Sequence, residues 1–272
     1  MNAIQAQGII KFFGSQRVLN QVDLVVPVGK FVAIIGPGGC GKSTLLKIIT
    51  RLLLPDQGRI LVFEQDIGRL HHARLSQCRR RMGIVFQQSP LLDQRDIAGN
   101  LRLNFEYASV TASAINQRIA EALAMVNLIG YEHKMPGQLS GGERKRAAIA
   151  CAIVRRPDLM LYDEPTLSLD PHNKNLVVRL MNDLHHSAPH AYSAEGFGKA
   201  RVATNTGQIT SLVVSHDLDI LSLADSVLFL QDGRLHHLGK GQDLAPKYLR
   251  RLFAESTLPA GKNGPETRKE AT

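Results

Sequence analysis

The sequence predicts an α/β protein built on a mostly parallel sheet, with an N-terminal antiparallel β subdomain and an inserted helical subdomain. Three observations carry this expectation. Residues 31–35, 159–162 and 212–214 read FVAII, LMLY and LVV, apolar runs too short for helices but suited to strands buried on both faces. The text between them turns helical, and strands that alternate with helices build a parallel sheet. The first 30 residues instead alternate short β-like runs with turn signals, the pattern of an antiparallel sheet.

In chain order, residues 4–10, 17–19 and 22–26 are β-like runs separated by Phe13-Gly14-Ser15 and closed by Pro27 and Gly29. Residues 31–35 then form a buried strand that ends in a glycine-rich turn. A helix is expected over 43–54, stopped by Pro55. Strands are expected at 58–63 and 82–86. Residues 89–154 read as the helical insertion; within it Ile115, Ile119, Leu123 and Val126 recur at three-to-four spacing. Residues 227–230 and 234–238 flank an Asp232-Gly233 turn and read as a hairpin. The expected organisation is one domain over 1–254. A long loop rich in Ala, Ser, His and Gly is expected over about 185–209, and a disordered tail over 255–272.

Composition narrows the function classes. With 44% hydrophobic and 21% charged residues, the chain is expected to fold. No run of about 18 apolar residues could cross a bilayer, and residues 1–8 carry no secretory leader, so a cytoplasmic protein is expected. Three scattered cysteines, Cys40, Cys78 and Cys151, make neither a disulfide framework nor a zinc site. The net charge of +9 comes in short basic clusters, 79–81, 144–146, 155–156 and 250–251, without interleaved aromatics; they read as solvated helix faces, and no nucleic-acid partner is expected. The histidine pairs 71–72, 185–186 and 236–237 share no metal-type spacing with acidic residues and read as surface histidines.

The chemistry concentrates at strand ends. Residues 36–43, GPGGCGKS, match G-x-x-x-x-G-K-[ST] between a buried strand and a helix. Backbone N–H groups can wrap a triphosphate only where small residues permit close approach and positive φ. Gly36, Pro37, Gly38, Gly39, Cys40, Gly41, Lys42, Ser43 and Thr44 are therefore candidate nucleotide-binding residues, with Lys42 reaching the β/γ oxygens and Ser43 holding Mg²⁺. This makes the expected core that of a P-loop nucleoside triphosphatase. Cys40 occupies a position where small residues fit, and packing explains it. Asp163 and Glu164 end an apolar strand and point to different sides; Asp163 is the candidate Mg²⁺ contact and Glu164 the base acting on water. Ser140, Gly141, Gly142 and Glu143 precede a helix and read either as a second anion cradle or as an ordinary N-cap.

Together with Gln87 and His216 after strands, these motifs resemble an ATP-binding cassette ATPase over residues 1–245. The resemblance implies that Phe13 stacks on adenine, that Gln87 senses Mg²⁺ and the attacking water, that Asp170 lies in the aspartate loop, and that His216 is the switch histidine. It also implies a head-to-tail homodimer in which Ser140 to Glu143 of one chain close on ATP held by the other. The dimer would sit on the inner face of the membrane against integral permease subunits, with a lipid- or solute-binding protein as a further partner. Residues 81–87, 161–165 and 211–217 are similar to the ATPases of Mla-type phospholipid transporters, although Thr166 to Asp170 departs from the Gly-Gln-Asp sequence common there. The alternatives are an amino-acid importer ATPase and a non-transport cassette ATPase acting on nucleic acid.

Overall fold

The computed structural model describes residues 1–106, 110–186, 208–245, 248, 249, 252 and 254. Most of the expected 185–209 loop and the whole expected 255–272 tail lie outside them. The chain opens with β1 (Asn2–Phe13) and β2 (Gln16–Pro27), antiparallel partners that turn at Gly14, where φ is +59°. β2 is one strand where the sequence suggested two runs; Gln21, at φ 52°, breaks its alternation without ending its pairing. β4 (Gln57–Val62) and β5 (Gln65–Asp66) complete a four-stranded sheet in the order β2-β1-β4-β5.

The second sheet contains β3 (Phe31–Ile35), β6 (Met82–Val85), β7 (Leu159–Asp163), β8 (Thr210–Ser215), β9 (Ser226–Gln231) and β10 (Arg234–Gly239), ordered β10-β9-β3-β8-β7-β6. All its pairs are parallel except the β9–β10 hairpin, whose turn residues Asp232 and Gly233 both have positive φ. β3, β7 and β8 are buried along their whole length. Alternate side chains serve two cores. Phe31, Ala33, Ile35, Met160, Tyr162 and Val213 pack toward the helical insertion; Val32, Ile34, Leu159, Leu161, Leu212 and Val214 pack toward the first sheet.

The helices are α1 (Lys42–Ile49), α2 (His72–Arg79), α3 (Ile97–Arg102), α4 (Ala112–Met125), α5 (Gly141–Ile153) and α6 (Pro171–His186). α1 ends at Thr50 rather than running to 54. Arg51 turns left-handed (φ 54°), and Arg79 of α2 donates to the free carbonyls of Thr50 and Arg51. α2 is absent from the sequence expectation because only Leu75 and Cys78 are buried on it, too few apolar residues to show a period. α6 extends through His186, so the expected loop cannot begin at 185. His185 is a core residue, not a surface one: its Nδ1 lies 2.7 Å from the Ile209 carbonyl and its ring meets Phe31 edge-on.

Candidate active site

The site forms where β3, β7 and β8 end side by side. Beyond β3 the chain must turn tightly against β9: a side chain at Gly36 would strike the Leu230 carbonyl, and Gly39 and Gly41 take φ of +77° and +109°. Gly41 is the N-cap of α1 and supplies no side-chain cap, so the first N–H groups of α1 keep the donors that suit a phosphate. Lys42 is buried, its Nζ donating to the carbonyls of Gly36 (2.8 Å) and Pro37 (3.0 Å). Cys40 is partly buried, and burial pushes its thiol up against the opposing effect of Lys42, as suits a packing side chain.

The two acids part as their neighbouring positions require. Asp163 Oδ1 accepts from Ser43 Oγ at 2.7 Å, bringing a hydroxyl and a carboxylate together. Burial raises the Asp163 carboxyl above its ordinary range, with the Ser43 bond opposing. This pair of hard oxygen donors fits Mg²⁺. Glu164 turns the other way from a left-handed backbone (φ 47°), its N–H donating to Val214. Its Oε2 accepts from Ser215 Oγ (3.0 Å) and from the His216 backbone (3.3 Å) and lies 2.9 Å from His216 Nδ1; Oε1 lies 3.6 Å from Lys42 Nζ. A carboxylate held by this many donors next to a phosphate loop is placed to act on water.

The other predicted residues lie around this centre. Phe13 is half exposed at the end of β1, available for stacking. The Gln87 side chain is exposed, while its carbonyl and that of Phe86 accept from Lys145 Nζ at 3.0 and 3.1 Å. Lys145 is only 4% exposed, which corrects the reading of cluster 144–146 as a solvated face: a long helical side chain inside a core leaves no sign of its direction in sequence. Ser140 caps α5 in a reciprocal box with Glu143, whose carboxylate also accepts from Tyr131. None of these bonds reaches residues 36–44. Gly142 packs directly on the Asn173 amide. Asp170 accepts from Asn173 N (3.0 Å) and Nδ2 (2.6 Å).

Sequence reasoning missed Ser215, Lys145 and also Lys174, which pairs with Asp217 and Asp219 in the loop that carries His216. Ser215 carried a signal, since it ends a buried strand one residue before His216; the two lysines carried none.

A family model described as ABC transporter matches residues 19–167, more than half of the chain. The chain belongs to the ABC transporter family. It is similar to the Fe(3+) ions import ATP-binding protein FbpC of Escherichia coli O157:H7, 32% identical over 93% of this chain and 66% of that protein. It thus spans just under two thirds of the length of that relative. It is also similar to the methionine import ATP-binding protein MetN of Xanthomonas axonopodis pv. citri, 35% identical over 93% of this chain and 72% of that one. The dimeric structure of MJ0796, a bacterial ABC transporter cassette, matches with a TM-score of 0.74 at 28% identity over 87% of this chain and 98% of that one. The mixed α/β cassette fold expected from the sequence is the fold found. No described helix is long and apolar enough to cross a membrane.

Proposed function

We propose that this chain is the ATP-hydrolysing subunit of a membrane transporter. The observation that carries the reading is Glu164, braced by Ser215 and His216 beside the Ser43–Asp163 pair and Lys42. Residues 36–44 cradle the triphosphate, Phe13 offers a face to the base, and Lys42 draws charge from the β/γ oxygens. Ser43, Asp163 and Gln87 would hold Mg²⁺, which when bound neutralises phosphate charge. Glu164 accepts the proton of the attacking water, and His216 fixes the orientation of that carboxylate.

Ser140, Gly141 and Gly142 open the N-terminus of α5 and are not bonded to their own phosphate loop. Their role is therefore read in trans, in a head-to-tail homodimer, for which the MJ0796 dimer gives support by similarity. Glu143 serves that end indirectly, by keeping Ser140 in place. The dimer would press on integral permease subunits at the inner face of a membrane, with a solute-binding protein supplying cargo. Both named relatives are import proteins, for ferric ions and for methionine, which supports an importer of a small solute such as an amino acid or a ferric ion. Phospholipid cargo, expected from the narrower resemblance, draws no support from them.

Replacing Glu164 with Gln tests the assignment. Hydrolysis should fall by roughly 10²- to 10⁴-fold while ATP still drives dimer formation on a sizing column. Undiminished hydrolysis by Glu164→Gln refutes it.

A further inference from the structure

α6 starts immediately after Asp170, and one turn into it Lys174 reaches back to the loop that follows β8. Its Nζ lies 2.8 Å from Asp217 Oδ1 and 2.5 Å from Asp219 Oδ2. Asp217 is tied again on its other oxygen, which accepts from the buried Thr166 hydroxyl at 2.7 Å, two residues beyond Glu164. The Asp217 N–H donates to Ser215 Oγ at 3.0 Å, and that hydroxyl donates onward to Glu164. The loop of His216 is thus laced to Glu164 on one side and to α6 on the other.

His216 itself is half exposed, and among the described residues its ring bonds to Glu164 Oε2. With about half of the imidazole in solvent, its aim depends on the backbone of 215–217. Among the described residues, Lys174 is the one cation paired with Asp217 and Asp219. Without it, two carboxylates two residues apart would repel each other and let the loop open.

We infer that Lys174 is a positioning residue: by clamping Asp217 and Asp219 it fixes the His216 loop against Glu164 and ties that loop to the helix that begins at Asp170. It touches no reacting atom and acts through His216. Because Lys174 N also donates to the Asp170 carbonyl, a displacement of Asp170 pulls on the same turn of helix that holds the loop. The inference rests on the ATPase reading above.

The test uses the full chain. Lys174→Met should lower kcat for ATP hydrolysis about 10-fold, the cost of a small misplacement of a catalytic group, with KM for ATP and thermal protection by Mg-ATP nearly unchanged. Lys174→Arg, which keeps the charge, should restore most of kcat. In a His216→Ala background, single-turnover measurements should find little further loss from Lys174→Met. Equal proportional losses in both backgrounds, or an unchanged kcat in Lys174→Met, overturn the inference. Should Lys174→Met fail to fold, Asp219→Asn at an exposed site replaces it, with a smaller loss in the same background-dependent pattern expected and equal losses overturning the idea. If the unmodified chain does not hydrolyse ATP, or Glu164→Gln hydrolyses it fully, the ATPase reading itself has failed; with both of those intact, only the role of Lys174 is at stake.

Discussion

The hydroxyl of Tyr162 is fully buried in β7 and has no hydrogen-bond partner among the described residues. Burial alone drives its acidity far below that of an ordinary phenol. Leaving such a group unpaired costs about 1–3 kcal/mol, so Tyr162→Phe, which keeps the ring, should stabilise the chain by roughly 1 kcal/mol in a denaturant titration. A loss of stability would show that the hydroxyl has a partner. The same physics applies with opposite outcome to Lys145, equally hidden but satisfied by two carbonyls. Residues of both kinds are opaque to sequence reading. The glycines of 36–41 were legible because local backbone geometry dictates them, whereas Lys145 and Lys174 owe their roles to partners 58 and 43 residues away.

Among the elements, α5 carries the most explicit start signal. Ser140 and Glu143 form a capping box, and the Tyr131 hydroxyl, followed by the Ser140 backbone, holds the Glu143 carboxyl down at about 2 against an ordinary 4.5. A depressed acid stabilises the fold above its unfolded pKa and loses that contribution as pH falls through the folded one. Glu143→Ala should therefore cost about 1 kcal/mol near neutral pH, with the gap from the unmodified chain closing between pH 4.5 and about 2. Urea titrations across that range measure it; a gap independent of pH would exclude the carboxylate as the cause. α5, like the buried strands, could be read from sequence because its cap and its apolar run are local. α2 could not, since its contribution is two arginine bonds to the end of α1 and not an apolar stripe.

At the scale of the whole molecule, the proposed head-to-tail pairing would make the loop of residues 36–44 and the Ser140 end of α5 two half-sites on one chain. Two chains paired in that way would make two complete sites. Chains with Lys42→Ala and chains with Ser140→Arg should each be inactive alone, yet a mixture should recover part of the hydrolysis, since mixed dimers contain one site with both halves intact. Recovery is read as phosphate release against mixing ratio, and none at any ratio would refute the shared-site geometry. The fold and the cluster at the strand ends were legible in the sequence because each motif sits at the end of its own buried strand. The pairing of copies came from resemblance, since one chain's spacing says nothing about its neighbour.

Lys42 and Glu164 sit 3.6 Å apart at the floor of the loop, the cation leaning on two carbonyls of that loop. On the reading proposed above, a phosphate that recruits the ammonium would draw it off the carboxylate, leaving Glu164 its contacts with Ser215 and His216. The arriving nucleotide would thereby undo the ion pair that leashes this side chain to the loop beneath it, and an empty subunit would keep the leash tied.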